Sequence, residues 1–484
     1  MRYVKGKIDR NQISFDLLSF EELIDENNYV RVIDAFIDII DINKLDCKYS
    51  KVKQTGRSPY NPKDMLKLYV YGYFNGIRTS RKLEKECNRN VELMWLINGL
   101  APDFKTIADF RKDNKKAVIG IFKEFSLLCH ELKLIGKEIV AIDGSKFRAC
   151  NGRHKNFTKR KIEKMLEHYD QAAKKYIELL DHADDNDSDE KKINVNEIQD
   201  KLRKAKERIE ELSSLQKEVN INGEVSITDP DAKHMNVSNQ GTDIAHNIQV
   251  AVDSKHHIVV AVDVTSKAAD NGQLYTMANQ AKQELDVDKL TVLADKGYYN
   301  GRDLMSCEKN GIRAIISKQK FRNSSSDVNF TKDKFKYDKE KDVYICPMGK
   351  ELVRKSGEKA KRQRYRCLEY DNCPYRENCT TNTKGREISP TEYQEYYDRA
   401  DKLFSDNIEL YKQRQMIVEH PFGTVKRALG YTYFLGRGNE KVRCESYMHF
   451  LIYNLKRVIN ILGINQLLEV LKKKISDKKQ GSFI

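Results

Sequence analysis

With 484 residues the chain has room for two to four domains of roughly 100–200 residues each, which excludes a disulfide-stapled miniprotein. Apolar residues make up 39% and charged residues 33%, so wholesale disorder is excluded; 87 Lys and Arg against 72 Asp and Glu leave a charge of +15, spread from Arg2 to Lys479, that calls for a polyanionic partner, nucleic acid foremost. No apolar run reaches the roughly 18 residues of a membrane span and the N-terminus lacks an apolar signal core, which points to the cytoplasm and away from membranes.

Residues 1–130 read as helical. Leu17, Leu18, Phe20 and Leu23, then Val30, Val32, Ile33, Phe36 and Ile37, recur at helical intervals. Past Pro59 and Pro62, one stripe is Met65, Leu66, Leu68, Tyr69, Tyr73 and Phe74, a second is Leu83 and Cys87, and a third is Val91, Met94, Trp95 and Ile97. Short helices with small connections suit a helix-turn-helix-like module. Arg78, Arg81, Lys82, Lys85 and Arg89 charge one of them, with Arg81 and Lys82 as candidate DNA contacts; a plain solvated face is the competing reading.

Strand character begins at Ile139-Val140-Ala141-Ile142, which runs into Asp143-Gly144. An excursion over 155–222 follows. It reads as a helical hairpin, with stripes Ile162 to Leu180 and Val195 to Leu212 and an acidic turn from Asp181 to Lys192. Strands resume at His246 to Val252 and Ile258 to Val264. A helix over 271–285, a strand from Leu290 to Ala294 ending in Asp295, a short helix and a strand from Ile312 to Ile316 complete a mixed sheet packed by helices.

Ten cysteines in a cytoplasmic chain are not a disulfide framework, and Cys346, Cys367, Cys373 and Cys379 cluster with twenty, five and five residues between them. A four-cysteine structural zinc site is one reading and unligated thiols the other. Lys350, Arg354, Lys359, Lys361, Arg362, Arg364 and Arg366 crowd the same stretch, which suits a grip on DNA. Helix returns over 391–428. A turn-rich Leu435 to Asn439 carries Arg437, an apolar helix contains Tyr447 to Leu455, and Lys472 to Lys474 belong to a basic, solvated tail.

Phosphodiester cleavage and transfer draw on two divalent cations roughly 3.5–4 Å apart, held by oxygen ligands. Asp143 and Asp295 each close a predicted strand, where open sheets place ligands. Glu419, on a helix docked against the sheet, is the third choice. Asp253, Asp263, Asp229 and Asp231 compete, but turns or strand positions explain them, with lining of the same cleft left open for the Asp229-Pro230-Asp231 pair.

Asp143-Gly-Ser-Lys, Asp295-Lys-Gly-Tyr and Glu419-His-Pro-Phe-Gly-Thr-Val-Lys426 together resemble the DDE transposases of bacterial insertion sequences. The run from Tyr60-Asn-Pro-Lys through Tyr71-Gly-Tyr-Phe-Asn-Gly-Ile-Arg and Trp95-Leu is similar to the helical leader of that branch, so the likeness covers nearly the whole chain. It implies an α/β fold: a ribonuclease-H-like mixed sheet flanked by helices, an all-α N-terminal domain, an inserted helical hairpin and a Cys-rich insertion.

The implied division is 1–130 for the DNA-binding domain, 137–330 and 391–463 for the two parts of the catalytic core, with the hairpin insertion at 155–222. The Cys-rich insertion is 335–385 and the basic tail 464–484. The resemblance makes Asp143, Asp295 and Glu419 a triad for two magnesium or manganese ions. Terminal inverted repeats and target DNA are the partners, and at least a homodimer is the assembly. Tyr411 and Arg414 keep the first spacing of the Tyr-x-x-Arg-x-x-x-Glu-x-x-x-x-x-x-Lys signature of that group, and Glu419 to Lys426 the last, so Arg414 and Lys426 are expected at DNA phosphates. Four residues rather than three separate Arg414 from Glu419, and Pro421 is expected to kink or restart the helix between Glu419 and Lys426. A catalytically inactive DNA-binding regulator and a structure-selective nuclease on the same fold are the alternatives.

Overall fold

The computed structural model describes residues 19–48, 58–185, 195–237, 241–318, 328–338, 340–355 and 363–481. Leu17, Leu18, the acidic stretch 186–192 and the basic residues Lys359, Lys361 and Arg362 lie outside them.

The N-terminal periodicity becomes α1 (Tyr29–Ile39), α2 (Pro62–Phe74), α3 (Ser80–Cys87), α4 (Val91–Leu96), α5 (Phe104–Asp113) and α6 (Lys115–Glu131). Asn28, Asn61, Asn90 and Asp103 each accept an N–H two or three residues on, satisfying donors that a helix start leaves open. Lys67 of α2 is 4% exposed, and its amine lies 2.7 and 2.8 Å from Asp34 and Asp38 of α1. Most of the predicted stripes are buried; Leu23 and Val91 are exceptions, exposed before α1 and at the first position of α4.

The chain continues through β1 (Ile139–Arg148), β2 (Asn156–Thr158), α7 (Lys159–Asp185), α8 (Val195–Asn222), β3 (Glu224–Ser226), β4 (Lys233–Val237), β5 (Gly241–Asp253) and β6 (Val259–Thr265). It goes on through α9 (Leu274–Leu285), β7 (Leu290–Ala294), α10 (Gly301–Lys309) and β8 (Ile312–Ile316). Short strands β9 (Lys336–Asp338), β10 (Val343–Ile345), β11 (Glu351–Arg354) and β12 (Tyr365–Cys367), helix α11 (Arg376–Cys379) and β13 (Glu387–Ile388) follow. Helices α12 (Gln394–Asp406), α13 (Ile408–Gly423), α14 (Asn439–Leu462) and α15 (Ile464–Gly481) end it. Among the described residues no helix is long and apolar enough to cross a membrane.

The chain divides into two compact units. One comprises 1–136, 144–268 and 418–484. In it β5 pairs antiparallel with β4, from Lys233↔Ala245 to Val237↔Gly241, and with β6, from Asn247↔Thr265 to Val252↔Val259. The inserted hairpin α7–α8 is closed at its base by β2 and β3, where Phe157, Ile162, Leu212 and Val219 are buried together. Asn454 of α14, fully buried, accepts the Val259 N–H and donates to the Val259 carbonyl at 2.9 and 2.8 Å, so a polar side chain inside the core keeps both its bonds.

The other unit comprises 137–143 and 269–417. Its parallel strands run β1, β7, β8, with registers Ile139↔Thr291 to Ile142↔Ala294 and Leu290↔Ile312 to Ala294↔Ile316. A separate antiparallel sheet, β13-β12-β11-β10-β9, encloses Phe335, Tyr344, Leu352, Tyr365 and Ile388. In the first unit, Ala149, just past the end of β1, donates to Ile244 of β5 at 2.9 Å.

Three local expectations change. Asp143 does not close β1, which runs on to Arg148. The extension is paired by remote segments, Arg148 exchanging backbone bonds with Thr432 and Phe434 at 3.1 and 2.9 Å, and local pattern cannot show that. Pro421 does not stop α13. It lies inside the helix, which then widens into a π-helical turn over Thr424–Ala428 with Leu429 N–H bonded to Thr424 O at 2.9 Å, so the register shift comes just after the proline's missing donor. Residues 464–481 are not a free tail: Leu467, Leu468 and Leu471 bury one face of α15, which packs on α1, while Lys474 pairs with Glu131 and Lys478 donates to Ile39 O.

Candidate active site

In the second unit Ile142↔Ala294 is the last register pair of β1 and β7, and the next residue in each case is an aspartate, Asp143 within β1 and Asp295 just past β7. Asp295 keeps extended backbone angles. Period two therefore carries both acids to the same face, at the C-terminal end of the parallel pairing. The Asp295 carboxylate accepts the Gly297 N–H at 2.6 Å and caps a short turn over Lys296–Tyr298. A Cβ on Gly297 would sit 2.9 Å from Asp295 Oδ1 and 3.9 Å from the Cβ of Asp270. A side chain there would have to displace the Asp295 carboxylate, and the second contact reveals Asp270 as a further acid close by. Sequence spacing hides Asp270, which reads there as part of an Asp-Asn-Gly turn.

Arg414, on α13, lies with Nη1 3.6 Å from Asp143 Oδ2, a Coulombic contact longer than a hydrogen bond. Side-chain exposures are 17% for Arg414 and 27% for Asp143, so the pair is sheltered from solvent. Among the described residues Nη1 has no hydrogen-bond partner. One turn earlier Tyr411 donates to Ser317 Oγ at 2.9 Å, just past β8, and its ring centre is 6.0 Å from the guanidinium. The altered spacing in the motif thus still turns Arg414 toward Asp143.

Glu419 belongs to the first unit, where it is exposed. Phe422, one turn on, is buried beside Phe147 and Phe450. Lys426, in the π-helical turn, donates to Ser145 Oγ and Lys146 O, both at 2.7 Å, with its ammonium 4.4 Å over the Phe147 ring. Burial, reinforced by the charge of Lys146, lowers its pKa from 10.5 to about 8.

The expected basic stripe of α3 thins out. Arg78, just before that helix, is buried, donating to Tyr433 O at 2.8 Å and Glu445 at 3.3 Å, and Arg89 pairs with Glu86. Arg81 and Lys82 are exposed, with the Arg81 guanidinium 5.1 Å over Phe104. Arg437 is exposed as well. In the small sheet, Lys350, Arg354 and Arg366 are paired with Glu369, Asp342 and Glu387, which reduces the positive field expected there.

Cys346, Cys367, Cys373 and Cys379 line one cavity of about 30 Å³. Met348 and Lys350 direct their N–H groups to Cys346 Sγ at 3.3 Å. Burial raises the pKa of Cys367 and Cys379. Among the described residues no three His, Cys, Asp or Glu side chains are drawn together closely enough to hold a metal ion, so neither the acids nor the thiols form a closed ligand shell.

Two family models match the chain: a transposase domain (DUF772) over residues 18–113 and a transposase DDE domain over residues 345–459. The chain carries the domains of a DDE transposase. The DDE transposase domain matched at 345–459 contains the four cysteines, Tyr411, Arg414, Glu419, Lys426 and Arg437, and the transposase domain at 18–113 contains Arg81 and Lys82. Asp143 and Asp295 lie outside both matches. Among solved structures, the cryo-EM structure of a piggyBac transposase synaptic complex with hairpin DNA is similar over 97% of this chain and 82% of that one, at 9% identity and a TM-score of 0.30, too distant to carry an argument. No curated protein matches the chain.

Proposed function

We propose that this transposase belongs to an insertion sequence, binds the repeats at the element's ends, hydrolyses a phosphodiester to free a 3′ hydroxyl, and directs that hydroxyl onto target DNA. The observation that carries the reading is the emergence of Asp143 and Asp295 from adjacent parallel strands at one level, with Arg414 beside Asp143. Antiparallel β4, β5 and β6 in the first unit and parallel β1, β7 and β8 in the second support a ribonuclease-H-like core. The domain limits above stand with it as part of the proposal, except that 464–481 form α15 packed on α1 rather than a basic tail.

Carboxylate oxygens suit magnesium or manganese, and Asp143 and Asp295 are the residues that would hold it. Bound there, a pair of such ions would supply activation of the attacking oxygen and stabilisation of the leaving one. Glu419 enters as the third acid from its motif alone. Arg414 offers a sheltered guanidinium N–H without an acceptor among the described residues, which suits a phosphate oxygen. Lys426, Tyr411, Arg81, Lys82 and Arg437 are assigned to DNA contact. Holding two element ends at once requires at least two copies of the chain, and the cytoplasm is the proposed compartment. Structural zinc at the four thiols is proposed with it, supported by their shared cavity and by the N–H donors on Cys346.

The test is incubation of the full chain with the DNA flanking its own gene, with and without magnesium, followed by mapping of cuts and joints. Asp143→Asn, Asp295→Asn and Glu419→Gln should each abolish cutting and leave binding largely intact, because phosphate contacts supply affinity. Retained cutting in any of the three refutes that residue's role. Binding without cutting by the parent chain favours a regulator, and cutting without joining a nuclease.

A further inference from the structure

We propose that Asp229, Asp231 and Glu445 are positioning residues that hold out Arg437 as a single-phosphate contact for DNA, an inference that rests on the transposase reading. All four belong to the first unit. The loop 435–439 has glycine on both sides of Arg437. Glu445 accepts the N–H of Leu435 and of Gly436, each at 3.0 Å, Asp229 that of Gly438 at 2.9 Å, and Asp231 that of Asn439 at 2.8 Å. The amides on either side of Arg437 are thus all taken by carboxylates.

Two of those acids are themselves fixed from behind. Glu445 is 2% exposed and pairs with Arg78, whose guanidinium lies 4.9 and 4.6 Å over Tyr431 and Tyr433. Asp229 is fully buried against His246, Oδ2 to Nε2 at 3.0 Å. Burial tends to raise the Asp229 pKa, but the His246 and Gly438 bonds outweigh it and hold the group below the ordinary value. The glycines are required as well: Gly438 has φ +80° and its Cβ would meet Asp231 Oδ2 at 3.4 Å, while a Cβ at Gly436 would lie 3.0 Å from that of Lys441.

Burying carboxylates is costly unless each is paired and bonded, so two buried acids and a half-buried third converging on one short loop are a large outlay for a loop with no other task. With those amides occupied, the loop offers an anion no backbone nest. What it presents is the exposed Arg437 guanidinium, which no described residue engages in an ion pair. A preset loop removes the ordering cost of grasping a phosphate, and one guanidinium reads charge rather than base sequence.

The experiment measures affinity of the full chain for two duplexes, the DNA flanking its gene and a scrambled sequence, across a salt series. Arg437→Ala should weaken both by about three- to tenfold and lower the salt slope by about 0.9, the value of one phosphate. Asp231→Ala should give a smaller loss, expose the Asn439 amide to hydrogen exchange, and add nothing in the Arg437→Ala background, a coupling that a purely structural role would not produce. An unchanged slope in Arg437→Ala, or an Asp231→Ala loss that persists without Arg437, overturns the inference while leaving the transposase reading standing. A parent chain with no salt-dependent DNA binding overturns both.

Discussion

Lys426→Met should make the protein more stable at neutral pH while weakening its hold on DNA. Its ammonium is largely withdrawn from water in the π-helical turn, and its pKa falls from 10.5 to about 8. At about 1.4 kcal/mol per pH unit, that drop corresponds to a cost of about 3 kcal/mol for keeping the charge folded. Bonds to Ser145 Oγ and Lys146 O return about 1 kcal/mol each, leaving a net cost of about 1–2 kcal/mol. The folded value lies below the unfolded one, so the cost is full below pH 8, where both states carry the proton, and fades as pH rises toward 10.5. Denaturant unfolding at pH 7 should therefore show the Met variant more stable by about 1–2 kcal/mol, and the advantage should vanish near pH 9 and reverse above it. A variant less stable than its parent at pH 7, or an advantage that persists at high pH, refutes the reasoning.

Arg78→Ala strands the buried Glu445 carboxylate and should cost about 3–5 kcal/mol in unfolding experiments, with part of that recovered in the double variant carrying Glu445→Gln. Gly297→Ala drives a methyl to 2.9 Å from Asp295 Oδ1; cleavage should fall about tenfold to a hundredfold with DNA affinity unchanged, and unaltered turnover would show that the carboxylate need not be held there. If the four thiols carry structural zinc, purified protein contains about one zinc per chain and Cys373→Ser lowers both the zinc content and the melting temperature; a zinc-free parent removes that assignment.

Much of the framework was legible because its cues are local. The parallel strands at Leu290–Ala294 and Ile312–Ile316 are read at their true bounds, since a short apolar run closed by Asp, Lys, Asn or Gly advertises both ends. The hairpin 155–222 is legible from two long amphipathic stripes around an acidic stretch. Asp143, Asp295 and Arg414 are selected by motif, and the register of β1 on β7 then sets the two acids level.

Other features depend on partners far along the chain. The second half of β1 exists through Thr432 and Phe434, and Arg78 leaves the basic face because Glu445 awaits it in the core, 367 residues away. Asp270 stands near Asp295 only once α9 and β7 are folded, and α15 is read as a charged tail until its leucines find α1. Sequence alone determined most of the helices, the central strands, the candidate acids and the basic character, because periodicity, capping and composition are properties of neighbouring residues. Which cations stay in water, which carboxylates are spent on backbone amides, and which loop holds Arg437 rigid were decided only by tertiary structure, because burial and pairing are set by segments that meet in space and not in sequence.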